Sequence, residues 1–415
     1  MSSNNQKPII VAATTLLFIG MVIVMQITFV STAPGANDFY PRWKGAQVFW
    51  LEGIDPYSTE ATEAIQQGIY GRLATDTEDQ VLFVYPFYTT FLLIPLVGLS
   101  YTWVQAIWLT VLLFALVVGV VLCLRLLNWQ PPLWLLSLLL IWSIIFYNSA
   151  RTIILGQFSG LIFVWIAGCL LALRREQDVL AAVLLSLTTI KPQMSFLLIP
   201  VLMLWGIGQR RWRFVGGFIA SMAILTGASF LLSPRWLLGF VEQVRAYPGY
   251  TVEGSPVYII TRVYFPQLGA IAEYILFGIV ALFALYHLRH LLPSLNSLQK
   301  GKEAIPSPRG RGSFLFSICA TLVTTNLLVS RTATTNYVVL YLPLLWGLQL
   351  VAQKWRYGNI FVALFLLVSV VGMWGLFLTT VSGDAESAIL FLPIPFALFA
   401  MLFLGQRAFL EAGYE

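Results

Sequence analysis

Charge is what this sequence has least of. Asp, Glu, Lys and Arg together make up 10% of its 415 residues, against roughly a quarter in an ordinary soluble domain, and that deficit excludes a water-facing globule. Histidine is rarer still. His287 and His290, the two in the chain, stand at i and i+3 beside Arg289 and read as interfacial side chains rather than metal ligands. Cys123, Cys169 and Cys319 fall inside apolar segments without a CxxC pair, which marks them as packing residues. No metal and no cofactor is expected. Repeats, low-complexity tracts and domain boundaries are also missing, so residues 1–415 read as a single integral membrane domain.

Apolar residues fill the space. Hydrophobic residues are 59% of the chain and mean hydropathy is +0.82. A helix needs about 20 apolar residues to cross the hydrocarbon. Such runs lie near 8–30, 101–124, 132–147, 156–173, 213–232, 268–286, 313–329, 337–353, 359–380 and 387–405. Shorter runs at 82–98 and on both sides of Pro192 bring the expectation to about 12 or 13 spans. The expected fold class is all-α, a polytopic transmembrane helical bundle. The first run follows Lys7 as a signal peptide's would, but it exceeds the usual ~7–15 residues and reads as a retained helix.

The formal charge of +6 belongs to loops rather than to a nucleic-acid surface. Gln209–Arg213, the 287–312 stretch with Arg289, Lys300, Lys302, Arg309 and Arg311, and Lys354–Arg356 are the basic connections. The positive-inside rule places them in the cytoplasm, with both termini on the same side of the plasma membrane. The 31–81 connection is acidic, with Asp38, Glu52, Asp55, Glu60, Glu63, Asp76, Glu78 and Asp79 against Arg42, Lys44 and Arg72; it reads as an outer loop. Placing Arg125 and Arg174-Arg175 inside as well requires an odd number of crossings between that loop and Arg125. Either the run 82–98, interrupted by Pro86 and Pro95, is incomplete or re-entrant, or the charge rule fails at these arginines.

The outer loop is the richest in chemistry. Trp43, Ala46, Gln47 and Trp50 share one helical face and Gly53 offers a stop, which predicts a short helix on the membrane surface. A second is predicted over 59–67, with Ser58 as N-cap and Gly68 after it. Asp38 stands where the chain leaves the bilayer, either as a general base at the membrane edge or as an N-cap for the helix that follows. Tyr40 and Trp43 can stack on sugar faces or form an interfacial belt.

Polar groups also interrupt the spans. Lys191 lies within the apolar stretch 179–206, where a lysine costs ~2.5–3.5 kcal/mol on insertion scales, so it must face a cavity or reach an interface. Pro192 disfavours helix at Lys191 and predicts two short helices meeting at a bend. The ammonium then either holds a phosphate or snorkels from a helix end. Gly156-Gln157-Phe158-Ser159-Gly160 is a polar turn before a span, and nearby Arg151 is an anion ligand or an interfacial anchor. Arg331-Thr332-Ala333-Thr334-Thr335-Asn336-Tyr337 is more polar than a turn needs to be. Glu242, Arg245, Glu253, Arg262 and Glu273 line a cavity or are solvated.

At these residues the sequence resembles the polyprenol-phosphate-dependent glycosyltransferases of the GT-C superfamily, specifically the α-mannosyltransferase-like glycosyltransferase family 87. The likeness is carried by Asp38 with Gly53-Ile54-Asp55-Pro56-Tyr57, by Tyr85-Pro86-Phe87 with Pro95, by Gly156-Gln157, and by Ile190-Lys191-Pro192. What it implies is a hexosyltransferase that inverts at the donor without metal. A hexose, mannose by family likeness, would pass from a polyprenyl-phosphate donor to a lipid or glycan acceptor at the outer face. Asp38 would be the base. Lys191, Gln157, Arg331, Asn336, Tyr40, Trp43 and Arg151 would bind substrate. The chain departs from phosphatidylinositol mannosyltransferase relatives in having Thr334-Thr335-Asn336-Tyr337 where they carry a histidine, and Ser159 where asparagine is common. The rival class is a secondary transporter or lipid flippase, which also uses broken helices and intramembrane charge. It predicts symmetry between two halves, and the sequence shows none.

Overall fold

Inside hydrocarbon a backbone must satisfy its own N–H and C=O groups, and this chain does so with helices. The computed structural model describes residues 3–31, 37–249, 254–288, 308–329, 332–383 and 386–411. It is 80% helical, with no strand among the described residues, which is the all-α class expected from composition. The three cysteines are buried and free, as packing residues are.

Among the described residues, five continuous helices have the length and apolarity to cross a membrane: Val11–Val30, Tyr101–Leu126, Trp212–Leu232, Thr334–Lys354 and Gly358–Thr380. The pair Leu133–Ile145 and Tyr147–Ile154, bent by 47°, makes a sixth if it counts as one span. Phe146 takes extended backbone angles at that bend. Ser159–Arg174, Asp178–Ile190, Leu198–Gly208 and Ala388–Leu404 are apolar helices of 10–17 residues, which at 1.5 Å per residue fall short of a ~30 Å core, while Gly269–Leu288 and Pro308–Leu328 are helices of 20 and 21 residues. The expectation of about 12 or 13 spans thus counts several runs whose helices, among the described residues, are shorter than a full crossing. Hydropathy reports apolar content, whereas breaks such as those at Phe146 and Lys191 divide it into shorter pieces.

The chain divides into two compact units. The first comprises Met1–Ala115, Thr152–Gly160 and Ala228–Thr251; the second comprises Leu116–Arg151, Leu161–Gly227 and Val252–Glu415.

In the first unit, the helix Tyr40–Glu52 opens with Pro41 in its first turn and stops at Gly53, whose φ of 74° is left-handed, as a C-terminal glycine permits. Its predicted apolar face packs on protein rather than on a membrane surface. The Trp43 indole donates to the Leu96 carbonyl at 3.1 Å and the Gln47 amide to the Val97 carbonyl at 3.1 Å. On another side, a Cβ at Gly45 would collide with the Phe83 ring. The next helix, Thr59–Tyr70, is capped by Ser58, whose hydroxyl accepts from Ala61 N at 3.1 Å. It runs past the predicted stop: Gly68 is helical, with Tyr40 packed where a side chain would be, and Gly71, at φ 69°, ends the helix.

The run 82–98 is no span. It holds the five-residue helix Thr89–Leu93 and the turn Ile94–Leu96, so the single helix Tyr101–Leu126 leads from the acidic loop to Arg125. The crossing count that the charges required is met.

In the second unit the basic groups gather. Arg174 donates to the carbonyls of Arg125 and Leu126. Arg211 donates to Leu173 O at 2.8 Å and pairs with Asp178. Gln349, near Lys354, donates to Leu127 O at 3.1 Å. The connections at Arg125, Arg174 and Arg211 therefore gather at one end of this unit; Arg289, Lys300, Lys302 and the side chains of Arg309 and Arg311 lie outside the described residues. Burial separates its helices: 78% of the apolar window in Thr334–Lys354 is inside the protein, against 17% in Gly358–Thr380. The exposed Phe361, Leu364, Leu367, Val368 and Val371 of the latter are the surface that a helix presents to lipid.

Candidate active site

The first unit places Asp38 by means of rings. Phe39 is fully buried and stacks on Trp108 with centroids 4.2 Å apart and planes 10° apart. The Trp108 indole donates to the Gly156 carbonyl at 2.8 Å and its ring packs on Phe158 at 4.7 Å. These contacts fasten the chain beside Asp38 to the 155–158 turn. Gly156 makes that turn at φ 71°, where a side chain would be strained, and Gln157 N returns to Thr152 O at 2.9 Å. The result is a hydrogen bond from Gln157 Nε2 to Asp38 Oδ2 of 2.6 Å.

Asp38 does not cap the helix that follows. The N-cap position belongs to Phe39 and no side chain caps the first turn. The half-buried Asp38 carboxylate is instead oriented by an amide 119 residues away in sequence, and an amide N–H to a carboxylate is a charge-assisted bond. Of the two sequence readings of Asp38, the cap is the one excluded.

Around this pair stands a polar rim. The Arg42 guanidinium carbon lies 4.6 Å from the centroid of the Tyr85 ring. Tyr85 packs on Phe158 at 5.2 Å and its carbonyl accepts from the Tyr57 hydroxyl at 2.6 Å. Burial pushes the Tyr85 hydroxyl up to about 12, with the negative charge of Asp38 adding to the rise and Arg42 opposing it. Asp79 feels the same neighbours. Although the residue is exposed, loss of water around its carboxyl raises its pKa. The Val81 N–H and Arg42 pull it back, and Asp38 raises it further.

The segment that carries Tyr85 is held under strain. Val81 and Val84 adopt φ of 46° and 44°, an outlier for β-branched residues. The helix Trp236–Ala246 braces it. Gln243 accepts from Val84 N at 2.9 Å and donates to Tyr57 O at 3.4 Å. Gly239 lies so close to Tyr57 that a Cβ would collide. The Asp55-Pro56-Tyr57 stretch is thus scaffold: Asp55 accepts from Tyr57 N at 2.9 Å and from the Ser233 hydroxyl at 3.3 Å.

Tyr40 and Trp43 also lie in this unit, packed on each other at 5.7 Å and on Tyr101 at 4.7 and 5.1 Å. Trp43 is buried, while Tyr40 is half-buried, which raises its hydroxyl pKa.

Three more of the expected residues belong to the second unit. Lys191 is 3% exposed, so it faces the interior and does not snorkel. It sits with non-helical angles between the turns Thr188–Ile190 and Pro192–Met194, the predicted bend between two short helices. The Ser195 hydroxyl bridges that break to Thr188 O at 3.3 Å. Asn336 is buried and donates to the Thr332 hydroxyl at 3.0 Å. Arg151 gives Nε to Glu386 Oε1 at 2.8 Å. The other Glu386 oxygen accepts from Thr334 at 2.7 Å, and Asn148 holds the Thr334 carbonyl at 2.7 Å. Arg331, Glu253, His290 and the side chain of His287 lie outside the described residues.

Sequence reasoning missed Trp108, Gln243, Asp79 and Glu386. The first two carry no local signal, since each acts across a long sequence separation. Asp79 was visible only as one acid among many.

A sequence model of a known family matches residues 83–296, a stretch that includes Tyr85, the Gly156-Gln157 turn and Lys191-Pro192 and begins after Asp38. Comparison with curated proteins and with solved structures gives no match. Covering just over half of the chain, the match is to glycosyltransferase family 87, and the protein belongs to that family of membrane glycosyltransferases.

Proposed function

We propose that this glycosyltransferase moves a hexose, with mannose the first to test, from a polyprenyl-phosphate carrier to a lipid or glycan acceptor at the outer face of the plasma membrane. The basic end of the second unit faces the cytoplasm in this reading. The observation that carries it is the Asp38 carboxylate, half-buried and aimed by Gln157 at 2.6 Å in the loop that follows the first span. Asp38 takes the proton from an acceptor hydroxyl as that oxygen attacks the anomeric carbon. The new bond forms as the old C1–O bond breaks, and the departing electron pair stays on the phosphate. Attack from the opposite side inverts the anomeric centre. Phosphate leaves without help from a second carboxylic acid, unlike the alkoxide in glycoside hydrolysis, so the step requires no metal. Lys191, Asn336 and Arg331 are proposed on the substrate side, with Tyr40 and Trp43 as aromatic neighbours.

The test is transfer of labelled hexose by purified protein from polyprenyl-phosphate and nucleotide donors offered separately. Transfer from the lipid-linked donor alone, with inverted anomeric configuration, is expected. Transfer from the nucleotide donor alone, or from neither, overturns the reading.

A further inference from the structure

The Asp38 centre holds a charge that the base does not use. Arg42 follows Asp38 by four residues, is half-buried, and joins none of the ion pairs among the described residues. Its Nε is buried without a hydrogen-bond partner. A buried donor left unmade is costly, so the arrangement is one that an anion would relieve. The guanidinium is also fixed in place. Tyr85 beneath it is 6% exposed, tied to Tyr57 through its carbonyl, and packed on Phe158, the residue next to Gln157. Base and cation thus share one aromatic frame, and the strained Val81 and Val84 flank the segment that supplies it.

We infer that Arg42 is a ligand of the donor's phosphate. Its guanidinium binds the phosphate oxygens of the lipid-linked sugar and takes up the negative charge that gathers there as the C1–O bond breaks. The acceptor proton goes to Asp38, the bond's electron pair to the phosphate, and Arg42 stays protonated throughout. The inference rests on the glycosyl-transfer reading above and adds a residue to it. An arginine suits the task better than a lysine because its fork pairs two oxygens at once.

Binding without turnover tests it. The full chain in lipid nanodiscs is titrated with a short-chain prenyl phosphate and with the corresponding prenyl alcohol, as wild type, Asp38→Asn, Arg42→Ala, Arg42→Lys and Arg42→Gln. Wild type and Asp38→Asn are expected to prefer the phosphate. Arg42→Ala and Arg42→Gln are expected to lose about tenfold or more of the phosphate affinity and to keep the alcohol affinity, with Arg42→Lys in between. Arg42→Gln retains the reach across Tyr85 without the charge and so separates a lost contact from a lost fold. Equal phosphate affinity in wild type and Arg42→Gln overturns the inference, as does an equal loss for both ligands. The transfer reading fails separately, if wild-type protein moves no sugar while this binding difference persists.

Discussion

Arg42 and Arg151 both lie against aromatic rings, and they differ in what else they touch. Arg151, in the second unit, lies 5.3 Å from the centroid of the Phe377 ring and donates to Glu386 at 2.8 Å, with both side chains largely buried. Arg42, in the first unit, lies 4.6 Å from the centroid of the Tyr85 ring, and its Nε donates to nothing. The same residue type has the same kind of platform in both places. The first is closed by its own carboxylate and by the Thr334 and Asn148 bonds behind it, and acts as a brace. The second faces the Tyr85 hydroxyl and the Asp79 carboxylate but makes no ion pair among the described residues, beside a carboxylate aimed by an amide. A buried cation already paired with a carboxylate holds a fold together; in the proposed reading, one that makes no ion pair is available for a ligand.

The largest stability effect should fall on the brace. Arg151→Ala strands Glu386 in the interior, and breaking a buried pair costs ~3–5 kcal/mol. Thermal unfolding in detergent should show a large drop for Arg151→Ala and a clearly smaller one for Arg42→Ala. The reverse order would break the comparison. Next comes Gln157→Ala, which removes the bond that orients Asp38. A hydrogen bond to a charged group is worth ~1.5–3 kcal/mol, so kcat should fall by about one to two orders of magnitude with thermal stability little changed. An unaltered kcat would show that the 2.6 Å contact is incidental.

The smallest effect belongs to the loop that presents Asp79. Arg72 and the Thr75 backbone and hydroxyl bonds hold the Glu78 carboxyl down at about 2 against an ordinary value of 4.5. A depressed folded-state pKa contributes stability that is present above pH 4.5 and is lost as pH falls through about 2. The pair is solvent-exposed and salt-screened, so the loss should be local. Protection of the amides over 72–80, measured against their intrinsic exchange rate at each pH, should fall across that window. Protection that is flat through it would remove Glu78 as the clasp.

Much of this was legible in the sequence, though unevenly. Composition gave the helical membrane class, Gly53 its helix stop, Ser58 its cap and Pro192 its bend, because each of these is a local property of a few residues. Which apolar runs form unbroken helices was not legible, since apolar content does not record where Phe146 or the 188–194 turns interrupt a helix. At the site, Asp38 and Gln157 were each visible as polar groups next to spans. Their contact was not, because no local spacing encodes a bond between residues 38 and 157. The same holds for the Gln243 brace on Val84 and for Glu386 on Arg151, whose partners come from distant parts of the chain. The aromatic face of Trp43 illustrates the opposite error: its periodicity was right, but the surface it meets is protein.

The central claim is that Asp38 is the base, and its most direct test is the rate of hexose transfer by wild type and Asp38→Asn at saturating donor and acceptor. Asparagine keeps the size of the side chain and loses the proton acceptor. Removal of a general base costs typically ~10²–10⁴-fold in rate, so a fall of at least a hundredfold in kcat with little change in KM is predicted. Equal rates in the two proteins would contradict the account.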